Sequence, residues 1–213
     1  MRFAALLAAL LACRAVPLEA QRISVEAFAG TALNLPTPLR IAQAGEADLD
    51  FTARYRTRPF HESPYYALRL GFWGDGGTGW LLDFVHHKLY LDNPPAEVQN
   101  FEITHGFNLL AASRAWRRGA MVYAVGAGVV ITHHENVVRG RASEGGGPFG
   151  GGYRLGGGTV MGTVGRRFPL VAALFLSADL RASLSYAEVP VAGGKARVPN
   201  VAAHLHAGLG YQF

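Results

Sequence analysis

From residue 201 to residue 213 the chain alternates without a break. Val201, Ala203, Leu205, Ala207, Leu209, Tyr211 and Phe213 fall on one face, and Ala202, His204, His206, Gly208, Gly210 and Gln212 on the other. Successive side chains of a β-strand point to opposite faces, so this is a strand with one apolar side. Residues 174–185 repeat the pattern. Leu174, Leu176, Ala178, Leu180, Ala182 and Leu184 alternate with Phe175, Ser177, Asp179, Arg181, Ser183 and Ser185, which places an acid and a base on the inner face. Similar segments run over about 153–166, 118–133, 100–111, 79–91, 64–74 and 22–33, making eight strands. In 118–133 the outward set is Tyr123, Val125, Ala127, Val129 and Ile131.

A ninth alternating stretch, Leu49 to Tyr55, does not fit an even-stranded barrel whose termini share the periplasmic side. Residues 47–58 are therefore expected in the first outer loop, with a hairpin that lengthens the wall as one form they can take there. The expected periplasmic turns are 75–78, 112–117 and 167–170, and the expected outer connections are 34–63, 92–99, 134–152 and 188–198. The fold class is all-β, an eight-stranded antiparallel transmembrane β-barrel. Such a barrel has an interior just wide enough for side chains to fill, which disfavours a general diffusion pore.

Composition agrees. Half the residues are hydrophobic and only 16% are charged, yet beyond residue 20 no apolar run is long enough for a membrane helix. A closed barrel is the other structure that satisfies its backbone in lipid. Residues 1–20 read as a signal peptide, with Arg2, an apolar stretch over 3–12, and Leu18-Glu19-Ala20 before Gln21. Lipoprotein processing at Cys13, after Leu10-Leu11-Ala12, is the alternative. The barrel then occupies 21–213, in the outer membrane of a Gram-negative bacterium. The terminal aromatic Phe213 resembles the signal that the outer-membrane insertion machinery reads. Glycines 145–147 and 150–152 suggest a mobile loop tip.

Cys13 is the only cysteine, so any chemistry of the mature chain rests on His, carboxylates or hydroxyls. Polar groups gather at the outer strand ends: Asp83, His86, His87 and Lys88; Glu102, Thr104 and Asn108; and His133, His134 and Glu135. Imidazole with carboxylate suits proton transfer or a divalent metal. Glu102 is expected to face the lumen. His86 and Lys88 share the Phe84 face, so they sit either on the outer wall at headgroup level or, with a bulge near 85, inside. His61-Glu62-Ser63 resembles the His-x-Ser of barrel lipid A deacylases, but it falls in loop one. The net charge of +5 includes Arg54, Arg56, Arg58, Arg139, Arg141, Lys195 and Arg197 in or beside outer loops, where phosphorylated lipopolysaccharide is the nearby anion. No RNA-binding motif accompanies this charge, so nucleic acid is not an expected partner.

Three blocks carry a family resemblance: Pro64-Tyr65-Tyr66-x-x-Arg69-x-x-x-Trp73, Leu82-Asp83-Phe84-x-His86-x-Lys88-x-Tyr90, and Glu102-x-Thr104-x-Gly106-x-Asn108-Leu109-Leu110. Together they resemble the rhizobial lipid A oxidases. The similarity is densest over about 48–112 and continues through Asp179, Arg181, Ser183, Ser185 and Glu188. The resemblance implies an outer-membrane enzyme that oxidises the proximal glucosamine of lipid A with molecular oxygen as co-substrate. It makes Asp83, His86, Glu102, Thr104 and Asn108 the candidate catalytic set, and His86 with the carboxylates a place for a divalent metal. Lys88, Arg139, Arg141 and Arg181 are the basic residues expected against lipid A. His87, His105, His133 and His134 depart from the family pattern. The competing expectation is a non-enzymatic barrel of the OmpA or opacity type with a structural or adhesive role.

Overall fold

The computed structural model describes residues 22–144 and 152–213. The expected signal segment and most of the glycine-rich tip lie outside them. The described residues form one antiparallel system of strands: β1 (Arg22–Leu35), β2 (Thr37–Gln43), β3 (Leu49–Ala53), β4 (Tyr55–Arg56), β5 (Tyr66–Trp73), β6 (Thr78–Leu91), β7 (Val98–Arg118), β8 (Met121–Thr132), β9 (Glu135–Val138), β10 (Arg141–Glu144), β11 (Arg154–Pro169), β12 (Leu174–Val191) and β13 (Gly194–Gln212). Eight of them close a ring in the order β1-β5-β6-β7-β8-β11-β12-β13, and β13 returns to β1 from Ser24↔Gln212 to Leu35↔Val201. Closure leaves no edge within the lipid, where an unpaired N–H or C=O would be costly. The remaining strands stand on the outer rim: β2 pairs with β13 and β3, β4 with β6, and β9 with β7 and β10. The alternating stretch that begins at Leu49 does not span, and extends the wall in a hairpin as expected.

Several strands are longer than their apolar alternation suggested. The turn expected at 112–117 is strand: β7 continues to Arg118 and turns at 119–120. Arg114 lies against the Trp80 ring (5.6 Å) and donates to the Gly79 carbonyl (3.3 Å), so a charge that read as turn is a side chain of the interfacial belt. The turn expected at 167–170 likewise moves to 170–173, because β11 runs on to Pro169. The outer loop expected at 188–198 is a hairpin turning at 192–193. Half-buried Glu188 and exposed Lys195 and Arg197 alternate there with buried Val189, Ala196 and Val198.

The inward and outward faces sort as read. Leu180 and Leu184 are more than half exposed to the surroundings, whereas Asp179, Arg181 and Ser183 are buried. The lumen is filled in layers. At the periplasmic end Trp73 donates to Ser24 Oγ (3.0 Å), and Arg167 pairs with Glu26, whose other oxygen accepts from Ser177 (2.7 Å). Above this, Arg69 contacts Asp83 (2.8 Å) and Asp179 (2.8 Å), and Arg181 contacts Asp83 (3.0 Å) and Asp179 (3.0 Å). Both guanidinium groups lie over the Phe28 ring. A Cβ at Gly165 would run into the Asp179 carboxylate, so glycine there keeps room for the charges. Next come Tyr65, whose Oη contacts His204 Nδ1 and His206 Nε2 (2.8 Å each), and His87 against Asn34 (3.0 Å). The outermost part of the interior is apolar, built from Leu39, Ile41, Leu89, Ile103, Val189 and Val198.

Removing one partner of a buried ion pair leaves an uncompensated charge, at a cost of about 3–5 kcal/mol, whereas replacing both partners with apolar groups costs much less. Arg181→Met is therefore expected to lower the urea midpoint of the detergent-folded barrel, followed by its heat-modifiable gel mobility. The Arg181→Met/Asp179→Leu double variant should recover part of the loss. A double variant no better than the single one would show that these pairs do not set the stability.

Candidate functional site on the outer wall

The polar residues at the outer end of β6 and β7 are arranged by a bulge. His87 faces Phe107, but Leu89 faces Ile103, so a step of two residues on β6 meets a step of four on β7. Gly106 sits in the extra stretch at φ +140°, and a side chain there would collide with Asn108. On its other edge β7 leaves β8 at Phe107↔Thr132 and resumes with β9 at Glu102↔Glu135. Residues 103–106 and 133–134 are thus released from the ladder at the same level, and three side chains converge. His105 Nδ1 lies 2.9 Å from Glu135 Oε1, and the His105 and His133 rings are 5.0 Å apart. Tyr153 stands edge-on to His133 (5.1 Å) and donates to the His105 carbonyl (2.9 Å). Neighbouring His134 contacts Ser143 Oγ (3.2 Å). Burial first, then the positive charge of Arg154, pushes its imidazole down to about 4, so it is neutral at physiological pH.

Toward the membrane from this cluster, a concavity opens on the outside of the barrel, lined by Pro64, Tyr66, Phe84, His86, Asn108 and Tyr153. Val85 and Leu109, one residue away on each strand, are core residues of the interior, which fixes His86 and Asn108 as outward. They face each other across the β6–β7 ladder, and His86 stacks on Tyr66 with centroids 5.0 Å apart and planes 8° from parallel. His86 Nδ1 and Asn108 Oδ1 are buried with no hydrogen-bond partner among the described residues.

The structure divides the expected site set in two. Asp83 is in the lumen within the charge network, closed off from any lipid, and so is Arg181. Glu102 does not face the lumen: it lies opposite Tyr90 and Glu135 on the outer face, accepting from Asn100 (2.9 Å), because its neighbours Phe101 and Ile103 take the interior. His86 keeps to the outer wall, and the bulge lies beyond it rather than near 85. The Thr104 side chain lies outside the described residues. Lys88 is on the outer face but fully covered, and its ammonium donates to the carbonyls of Arg58, His61 and Ser63 (2.7 Å to Ser63). It secures the segment 57–65 across the wall and does not present a charge to lipid. His61 pairs with Glu62 (3.4 Å), which in turn accepts from Tyr90 (3.1 Å). Arg139 bonds Gln43 and the Ala47 carbonyl, and Arg141 pairs with Glu46, so both stitch the β9–β10 hairpin to the β2–β3 turn. The convergence of His105 with His133 and Glu135 was not visible along the chain, because only the bulge brings it about.

Among solved structures the chain is similar to the outer membrane protein AlkL in lipid bilayers, at 13% identity over 91% of this chain and 90% of that one, with a TM-score of 0.50. It is also similar to the outer membrane protein OprG from Pseudomonas aeruginosa (12% identity, 91% and 96% covered, TM-score 0.48). Ail, the attachment invasion locus protein of Yersinia pestis, is a third (14% identity, 91% and 99% covered, TM-score 0.43). The fold is that of an outer-membrane β-barrel. The girdle of exposed Leu, Val, Phe, Tyr and Trp around the ring is the surface such a fold buries in the bilayer. No protein-family model and no curated protein matches the chain. At these identities the likeness carries architecture alone, and chemistry has to be argued from the outer wall.

If the Lys88 ammonium holds segment 57–65, Lys88→Met should free it. Chymotrypsin cleavage of the folded barrel after Phe60, an exposed residue of that segment, is then expected to accelerate at least several-fold, with the ring still heat-modifiable. Equal cleavage rates in the two proteins would show that the segment is held by other contacts.

Proposed function

We propose that this barrel acts on the outer leaflet through its outer wall, as a glycolipid-modifying protein whose substrate is lipid A. The observation that carries the reading is the concavity beside His86 and Asn108. It joins the apolar girdle on one side and offers two buried, unsatisfied polar atoms on the other. Buried polar atoms are normally paired, so two left open beside a cleft can meet a ligand's hydrogen-bonding groups. A phosphorylated sugar carried on acyl chains matches such a half-apolar cleft.

The finer activity, oxidation of the proximal glucosamine of lipid A with molecular oxygen, rests on the resemblance of the three sequence blocks. Among the described side chains of that set, His86 and Asn108 are the ones beside the outer concavity, where a lipid can reach them. Glu102 lies farther out on the same face, and Asp83 acts only by supporting the lumen. Phe213, whose N–H donates to the Ile23 carbonyl beside the closing strands (2.8 Å), is proposed as the handle for the insertion machinery; Phe213→Ala should lower the assembled fraction in cells. A second reading, a structural or adhesive barrel, draws on the rim, which Arg139 and Arg141 make continuous.

Mass spectrometry of lipid A from aerobic cells with and without the gene tests the proposal. A species one oxygen heavier is expected with the gene. It should be absent under anoxia, and reduced at least tenfold by His86→Ala or Asn108→Ala in barrels that assemble normally. Identical lipid A in all strains would exclude modification and leave the structural or adhesive reading.

A further inference from the structure

We infer that His105, His133 and Glu135 form a binding site for a divalent first-row transition metal on the outer rim of the barrel, independent of which lipid the wall meets. The imidazoles and the carboxylate each offer one ligand atom, and these atoms all lie within 4.8 Å of one another. Ligands bound at about 2.1 Å around one ion sit roughly 3–3.5 Å apart, so closing the set takes a shift of about an ångström, within the reach of side-chain torsions. Two of the three already meet: the 2.9 Å contact between His105 and Glu135 is a pair in which an ion can replace the shared proton.

A second observation points the same way. Nδ1 of His133 is buried and has no hydrogen-bond partner among the described residues, although its ring is held in place by Tyr153 and its backbone N–H donates to the Gly106 carbonyl (3.0 Å). A histidine fixed in orientation with an unused ring nitrogen is the arrangement that metal ligation needs. The backbone supports the site too. The bulge at 103–106 gives His105 a position off the ladder, and the break between β8 and β9 does the same for His133, while Glu135 is pinned by pairing with Glu102.

Two imidazoles and one carboxylate select a borderline cation such as Zn²⁺, Fe²⁺ or Co²⁺ over Mg²⁺ or Ca²⁺, which prefer all-oxygen sites. Three protein ligands leave coordination positions open, and all three residues are only half-buried. The open side is therefore within reach of water or of a small ligand from outside the barrel.

The test uses the whole barrel, without an affinity tag, refolded in detergent and titrated with Co²⁺ while its visible d–d absorption is followed, then with Zn²⁺ in competition. One equivalent of Co²⁺ should bind and be displaced by Zn²⁺ but not by excess Mg²⁺. Affinity should fall at least tenfold in Glu135→Gln and in His133→Ala, and stay unchanged in His61→Ala, which removes an exposed histidine of another segment. Heat-modifiable mobility checks that each variant is folded, and Glu135→Gln, nearly isosteric, keeps the test valid if His133→Ala does not fold. Absence of Co²⁺ binding by the folded protein, or equal binding by all variants, overturns the site. Because the readout is metal stoichiometry, it stands or falls separately from any change in lipid A.

Discussion

Among the described residues, six charged side chains share the lumen of this barrel, three guanidinium groups and three carboxylates, and they have little besides each other and a few hydroxyls for partners. Charges cannot be taken out of water singly, so Glu26, Asp83, Asp179, Arg69, Arg167 and Arg181 must be placed together or not at all. Their mutual geometry fixes much else. It requires the register that sets Arg69 opposite Asp83 and Asp179 one strand from His206, and it requires small residues such as Gly165 at the points where the charges would otherwise collide with the wall. A lumen so filled leaves no wide aqueous path, and the apolar plug above it closes the outer half.

A filled interior moves function to the exterior. The wall there is uniform over the girdle and irregular only at its outer margin, where the β6–β7 bulge, the β8–β9 break and the segment secured by Lys88 meet. That margin is where the strands pass from acyl chains to headgroups, so it brings together an apolar floor, hydrogen-bonding groups and the His105, His133 and Glu135 cluster within one patch. Irregular strand pairing is costly in lipid and tolerable at its boundary, which is why the chemistry of such a barrel collects in this zone.

Much of the architecture can be read from the chain because period-two alternation is a direct projection of a wall with lipid on one side. The stretch from Val201 to Phe213 and that from Leu174 to Ser185 announce both strand and facing. The limits of the strands are less readable: in Glu188 to Arg197 and around Arg114 the outward positions carry charge, so the alternation of burial continues while that of hydropathy stops. The site is harder still. Asp83 and His86 stand close in sequence yet lie on opposite sides of the wall, and Glu102 takes the face opposite to the one expected. His105 is redirected by a bulge marked only by Gly106, and Arg69, Arg167 and Glu26 form ion pairs across strands remote in sequence.

The seam between β1 and β13 gives the charge network a kinetic meaning. Glu26 enters from the first strand of the ring, whereas Arg167, Ser177 and Asp179 come from the far end of the chain. Until Ser24 finds Gln212 and the ring shuts, Arg167 has no carboxylate and Glu26 has only the looser contact with Arg69 across β1–β5 (3.9 Å), so the open sheet keeps Arg167 hydrated. Closure therefore completes the neutralisation that the Arg69–Asp83 and Arg181–Asp179 pairs can begin within the open sheet, and this last step is late and highly non-local. The same coupling works in reverse: prising the seam apart would strip both the backbone ladder and the neutralising partners at once. Lateral opening at the β1–β13 seam is thus opposed by the Glu26–Arg167 ion pair as well as by the hydrogen bonds of the ladder.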